Sequence, residues 1–284
     1  MSSKKKIALL FNSKAGKGKA VSVVKIAEQK LNALSISFES FDSQWPDELN
    51  TFSEVWLIGG DGTLNFFINK YQQLKIPVAL FKGGSGNDFA WKLYGNISVE
   101  TYLERALKNN VIKTDAGICN GKYFINGAGV GFDGETVRNM GAKRFISAGH
   151  IAYLIVVLKT IFNYREVKMK VTCNGKTFEN KFLMINVANG SRYGGGFMVA
   201  PQAIVNDRML DVILVDALSS LKRLINLPKI EKGKHLQLPF VRTATCQSIK
   251  IETSLPVAGQ LDGELLIDSK FEIQILPEHF MFKI

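Results

Sequence analysis

The segment Ser53–Leu74, SEVWLIGGDGTLNFFINKYQQL, decides the fold: an apolar run, a turn of glycines around one carboxylate, then a helix-like stretch from Leu64. A strand that ends in such a turn and starts a helix is the repeating unit of a parallel sheet covered by helices. The glycines of Gly59-Gly60-Asp61-Gly62-Thr63 let backbone come close to a phosphate. Thr63 is placed to cap the helix, and first-turn amides with the helix dipole favour an anion. Asp61 beside that anion is suited to holding Mg²⁺, directly or through water; the alternative is a solvated turn residue.

Working outward, the pattern recurs. PVALF (77–81) runs into KGGSGNDFA, with Gly83, Gly84, Ser85, Gly86, Asn87 and Asp88 ahead of another helical stretch. IALLF (7–11) runs into NSKAGKGKA, where Asn12, Ser13 and Lys14 can reach a nucleotide. Ligands of open parallel sheets bind beyond the carboxyl ends of the strands, so these turns are expected to face one crevice. The turn after IALLF is not a Walker A loop, because Gly18-Lys19 is followed by Ala20 and Ser13 stands where the first glycine belongs.

After about Val111 the alternation stops. VKMKVTCNG, KTFENKFLMINVAN, MLDVILVD, QSIKIETS and ELLIDSKFEIQIL are rich in branched residues and separated by turn signals, as in an antiparallel sandwich. A helix-capable island, Gly134–Phe162, and a basic stretch, Leu221–His235, interrupt them. The expected organisation is an α/β nucleotide-binding domain over 1–120 followed by a β-rich domain over 121–275.

GVGFDG (129–134) fits GxGxxG but lacks the acidic residue of a dinucleotide fingerprint and reads as a tight strand-to-helix crossover. GQLDGE (259–264) places Asp262 and Glu264 at a turn, fit either for Mg²⁺ and proton transfer or for an ordinary Asp-Gly hairpin. His150, His235 and His279 lack zinc-site spacing, and Cys119, Cys173 and Cys246 lack any CxxC pair, which suits a reducing interior. The apolar stretch Ile7–Phe11 is too short for a signal peptide and Ile151–Phe162 too short to span a bilayer, so a cytoplasmic protein is expected. The net charge of +11 favours anionic partners without choosing among them.

Together, GGDGT (59–63), GGSGNDFA (83–90), GVGFDG (129–134), the P-x-A…D-x-x-L-D-V pattern (201–212) and LDGE (261–264) resemble the diacylglycerol kinase catalytic family. Within it the chain is similar to the soluble bacterial lipid kinases, which share that domain with sphingosine and ceramide kinases. The resemblance implies an α/β plus β fold: an N-terminal domain like those of phosphofructokinase and NAD kinase, then a β-sandwich domain. It also implies ATP in the cleft between them and a tail, about 276–284, that returns to the first domain. The implied activity is Mg²⁺-dependent transfer of the γ-phosphoryl group of ATP to a hydroxyl of a lipid such as diacylglycerol or a sphingoid lipid.

By the same resemblance Gly59, Gly60, Asp61, Gly62 and Thr63 bind the ATP phosphates and the Mg²⁺ network. Asn12, Ser13 and Lys14 line the nucleotide pocket, and Gly84, Ser85, Gly86, Asn87 and Asp88 complete it. Asp262 matches the general base, Asp61, Asp88 and Glu264 match the Mg²⁺ network, and Asp115 matches a supporting carboxylate. A structural Mg²⁺ found in some members uses a DG-x-L-D segment; here Asp207-Arg208-Met209-Leu210-Asp211 puts Arg208 at the glycine. A left-handed Arg is costly and its charge opposes a metal.

Two other readings compete. An NAD kinase-like enzyme acting on a soluble acceptor shares GGDGT, but GGSGNDFA and LDGE suit a lipid kinase better. A non-catalytic nucleotide- or nucleic-acid-binding module suits the charge, but nothing resembles a helix-turn-helix, an RNP motif or a zinc module, so no nucleic-acid partner is expected. A lipid kinase has to meet a membrane. Lys4 to Lys6, Lys222, Arg223, Lys229, Lys232 and Lys234 are the cations available for peripheral contact with an anionic inner surface, and residues 151–162 are suited to border an acyl pocket. Many members of the family form homodimers.

Overall fold

The computed structural model describes residues 5–141 and 150–284. Lys4, the 142–149 part of the expected helical island and the side chains of residues 150–153 lie outside the described residues. Two compact units divide the chain: residues 5–114 with 278–284, and the described residues from 115 to 277.

The first unit is a parallel sheet of β1 (Lys6–Phe11), β2 (Ser37–Asp42), β3 (Glu54–Gly59) and β4 (Val78–Lys82), in the order β4-β3-β1-β2. Ile7 to Leu10 and Glu54 to Gly59 are buried without alternation, as in strands covered on both faces. On one face α1 (Lys19–Ala33) buries Ala20, Val23, Val24, Ala27 and Leu31 against Ile7, Leu9, Trp56 and Ile58. Each larger aliphatic side chain so buried contributes about 1.5–3 kcal/mol. Helices α2 (Asp61–Lys70), α3 (Asp88–Tyr94) and α4 (Val99–Ala106) complete the unit. The chain leaves β1 for β2 on one side and then returns to place β3 on the other, so the strand order reverses between β1 and β3. Such a switch point opens a crevice beyond the carboxyl ends of the strands.

Residues 278–284 close the far edge of this sheet. Phe282 pairs with Val78 in parallel, and the Tyr102 hydroxyl donates to the Lys283 carbonyl at 2.9 Å. The Lys283 ammonium, 1% exposed, bonds the Glu54 carboxylate at 2.6 Å, while the Trp56 indole donates to the other Glu54 oxygen at 2.7 Å.

The second unit is antiparallel. It takes in the end of β5 (Val111–Cys119), then β6 (Lys122–Phe124), β7 (Gly127–Gly131), α5 (Phe132–Met140), α6 (His150–Asn163), β8 (Val167–Cys173) and β9 (Lys176–Ala188). β10 (Leu210–Asp216), α7 (Ser220–Glu231), β11 (Val241–Cys246), β12 (Ser248–Leu261) and most of β13 (Glu264–Lys283) follow. The long strands β9 and β12 each pair with β8 over their first halves and with β7 over their second. Phe182, Ile185, Val187, Ile249, Ile251 and Phe271 form the heart of its core. β12 turns into β13 through Asp262 (φ 49°) and Gly263 (φ 88°), with Leu261 opposite Glu264. Positive φ at both central residues makes this a tight primed hairpin turn, for which Asp-Gly is suited.

Candidate functional site

The turns after β1, β3 and β4 meet at the switch point, and their glycines are required where backbone touches backbone. A Cβ on Gly60 would lie 2.5 Å from the Gly86 carbonyl oxygen, one on Gly84 would lie 2.3 Å from the Gly60 Cα, and one on Gly16 would lie 2.3 Å from the Gly83 oxygen. Asp61 N donates to Gly86 O at 3.1 Å and Gly83 N to Gly59 O at 2.8 Å. Helix α2 begins earlier than expected, at Asp61, with Gly60 as its extended N-cap. Leu64 N bonds Gly60 O, so Thr63 sits inside the first turn and does not cap it. The amides of Gly62 and Thr63 have no carbonyl one turn back within the helix, the arrangement that favours an anion at a helix start.

Asp61 has a role its motif did not announce. Its two carboxylate oxygens accept the amides of Asp88 at 3.0 Å and Phe89 at 3.2 Å, so it ties the start of α3 to the start of α2. Asn87 closes its own turn, its side chain accepting from Gly84 N at 3.2 Å and donating to Gly84 O at 2.9 Å. Ser85 is exposed and Asp88 buried. After β1, the Ser13 amide donates to the Asp42 carboxylate at 2.9 Å and the Lys14 amide to the Asn12 side chain at 2.9 Å. The Ser13 amide holds the Asp42 carboxyl below its ordinary range. Those two amides are engaged within the unit, and the Lys14 side chain is exposed.

In the second unit Asp262 is buried, and its carboxylate accepts three backbone amides: Ile125 at 2.7 Å, Asn126 at 2.9 Å and Gly127 at 2.9 Å. The hairpin and catalytic readings of Asp262 are therefore compatible: the turn presents the carboxylate and the amides fix its orientation. Glu264 is exposed, at the first position of β13. Asp115 is fully buried and accepts the Arg208 amide at 2.6 Å, while Asn189 donates to the carbonyls of Asp115 and Ile125 at 3.1 and 2.7 Å. Asp115 thus reaches the segment that holds Asp262 through one shared asparagine. Arg208 adopts φ 64°, the left-handed conformation that is costly for a side chain.

One residue of this set escapes the motif reading. Asp133, in the GVGFDG crossover, is buried over Gly129, where a Cβ would lie 2.1 Å from its Oδ2. Gln260 donates to that oxygen at 2.8 Å and accepts the Gly263 amide at 2.6 Å, which links Asp133 to the Asp262 hairpin. Burial pushes the Asp133 carboxyl up to about 6, with the Gln260 bond opposing. Buried carboxyls so shifted cluster at functional positions. The available signal was the alternation Gly127, Gly129, Gly131, which strips one side of a strand bare so that a polar side chain can lie on it.

Residues 6–119 match the family model described as the diacylglycerol kinase catalytic domain, and residues 127–282, over half the chain, match the YegS C-terminal NAD kinase beta sandwich-like domain. The chain belongs to the YegS-like diacylglycerol kinase family. A relative in Shewanella frigidimarina named "Probable lipid kinase YegS-like" is 27% identical over 97% of this chain and 93% of its own length. A "Putative lipid kinase" of Staphylococcus epidermidis is 29% identical over 79% of this chain and 74% of its own. A crystal structure titled as a "putative diacylglycerol kinase" from Bacillus anthracis superposes with a TM-score of 0.82 at 23% identity, covering 100% of this chain and 96% of that one. This last likeness shows the shared fold. Among the described residues no helix is long and apolar enough to cross a membrane.

Proposed function

We propose that the chain is an ATP-dependent lipid kinase that transfers the γ-phosphoryl group to a hydroxyl of a lipid such as diacylglycerol or a sphingoid lipid. The observation that carries this reading is the meeting of three Gly-rich turns at the switch point of the first unit, with the Gly62 and Thr63 amides at a helix start. Phosphoryl transfer needs mainly positioning and neutralised charge, and oriented amides supply both without reorganising.

In this reading Gly59 to Thr63 take the phosphates, Lys14 and the Gly84–Asn87 turn border the nucleotide, and Asp61 and Asp88 of the first unit and Glu264 of the second belong to the Mg²⁺ network, directly or through water. Carboxylates suit that ion, which is held by one or two of them together with substrate phosphates. Among the described residues there is no cluster of three or more acidic, His or Cys side chains that would make an all-protein cage. Bound Mg²⁺ would supply charge neutralisation at the phosphates. Asp61 keeps α3 and the second turn in register, and Asp262, oriented by three amides, is the residue to accept the proton of the lipid hydroxyl.

The test is transfer of labelled γ-phosphate from ATP with Mg²⁺ to a panel of detergent-dispersed lipids, to NAD and to soluble polyols. Labelled lipid, with a loss of about a hundredfold or more in a folded Asp262→Asn variant, supports the proposal. Label on NAD or a polyol and on no lipid refutes the lipid assignment.

A further inference from the structure

Helix α7 has a buried inner face and an exposed apolar outer one. Its inner face is fixed by Arg223, which the sequence offered as a headgroup cation but which is 7% exposed. The Arg223 guanidinium donates to the carbonyls of Leu218, Ile161 and Tyr164 at 2.8–2.9 Å and to Glu166 at 2.6 Å, so this charge is consumed inside the unit. Lys5 and Lys6, offered for the same purpose, pair with Glu54 and Glu39. The outer face carries Leu221, Leu224, Ile225 and Pro228, at the i, i+3, i+4, i+7 spacing of one helical stripe. Leu221 is 65% and Ile225 59% exposed, although core packing on the inner face does not need them.

Charge selects what such a face meets. Lys222, Lys229, Lys232 and Lys234 are exposed on and just after the helix, and the acidic residue nearest in sequence is Glu231, which is exposed. Helix α6, whose carbonyls hold Arg223, repeats the character with exposed Ile155, Lys159 and Phe162 at i, i+4, i+7. A small apolar cavity of about 40 Å³ lies beneath α7, lined by Leu183, Val215, Ile230 and Phe240 among others. A polyanion without apolar surface would match the lysines but leave exposed leucine and isoleucine side chains without apolar cover. An anionic bilayer surface matches both, with headgroups for the ammonium groups and acyl chains for the stripe.

We propose that the outer face of α7, with Leu221, Leu224 and Ile225 inserted and Lys222, Lys229, Lys232 and Lys234 at headgroup level, docks the protein on anionic lipid bilayers. The proposal deepens the lipid-kinase reading, because it supplies the surface from which a membrane-embedded acceptor is drawn.

The test is cosedimentation of the full chain with vesicles of phosphatidylcholine alone or with one third phosphatidylglycerol, at low and high salt. Wild type is expected to prefer the anionic vesicles at least about tenfold, with the preference lost at high salt. Lys222→Ala with Lys229→Ala should lower the partition coefficient about 25-fold, at about fivefold per lysine. Leu221→Ser with Ile225→Ser should lower it about tenfold or more while leaving the thermal transition in place, since both side chains are exposed. Equal binding to both vesicle types, or variants that partition as wild type does, overturns the proposal. So does a wild-type dimer that the Leu221→Ser, Ile225→Ser variant converts to monomer with vesicle binding unchanged, which would make this face a contact between copies. A short-chain diacylglycerol presented as monomers separates the two readings: its phosphorylation by every variant leaves the kinase assignment intact whatever the vesicles show.

Discussion

Replacing Asp133 by Asn should stabilise the protein at neutral pH, and the gain can be worked from the buried carboxyl. Burial raises Asp133 from 3.8 to about 6. Below pH 3.8 the group is protonated in both folded and unfolded chains and contributes nothing to the pH dependence. Between about pH 4 and 6 the unfolded chain releases the proton while the folded chain keeps it, so stability falls as pH rises. Above about 6 the penalty is complete, and the distance between the two values corresponds to about 3 kcal/mol. Asparagine keeps the shape and an oxygen for the Gln260 amide, now 2.8 Å from Oδ2, but carries no charge to desolvate. Urea denaturation followed by circular dichroism should show the variant more stable by about 2–3 kcal/mol at about pH 8 and equal to wild type near about pH 3.5. Circular dichroism is needed because Trp45, Trp56 and Trp91 all lie in the other unit. A difference that stays flat from about pH 4 to 8, or a variant less stable at the upper end, would refute the reasoning. If phosphoryl transfer drops in the same samples, the ionised form is retained for activity at the expense of stability.

Three further outcomes are expected. Lys283→Met leaves Glu54 buried with Lys5 as its remaining cation, at 3.1 Å, and should lower stability by about 3 kcal/mol; a loss under about 0.5 kcal/mol in thermal melts would show that Lys5 replaces it fully. Arg208→Gly relieves a left-handed side chain and should add up to about 1 kcal/mol, whereas Arg208→Val should lose stability; equal melting of the two would contradict the strain argument. Gly60→Ala drives a methyl to 2.5 Å from the Gly86 oxygen, so the turns must part: about 1–3 kcal/mol of stability and most affinity for a nonhydrolysable ATP analogue should go, as calorimetry would read. Retained affinity would mean that the paired turns do not form the nucleotide site.

The parallel sheet was legible because its strands are continuous apolar runs ending in glycines, and the antiparallel half because its strands alternate between turn signals. Both rest on local chemistry. What the sequence concealed depends on distant partners. The positioning role of Asp61 was hidden because nothing adjacent announces that it accepts the amides of Asp88 and Phe89, 27 and 28 residues on. Arg223 looks like a surface cation because it follows Lys222 in a stretch rich in lysines, and only the packing of α6 and Glu166 against it turns it inward. Asp133 sits in a motif that reads as a dinucleotide fingerprint or a bare crossover, and neither announces a carboxyl buried on a glycine floor. Helix α2 starting at Asp61 shows the same limit on a smaller scale: the extended Gly60 that sets the boundary is imposed by contact with Gly84 and Gly86.

The bond between Lys283 and Glu54 joins residues 229 positions apart. On a ribosome adding about 5–20 residues per second, Glu54 waits roughly 10–45 s for its partner. Throughout that interval the edge of β4 that Phe282 will cover is open, and the buried carboxylate has no Lys283 ammonium beside it. The half of the protein made first is thus among the last to be finished, and its quality control is tied to completion of the other half: a chain halted before residue 278 carries an uncapped parallel sheet, the kind of exposed edge that chaperones and proteases recognise.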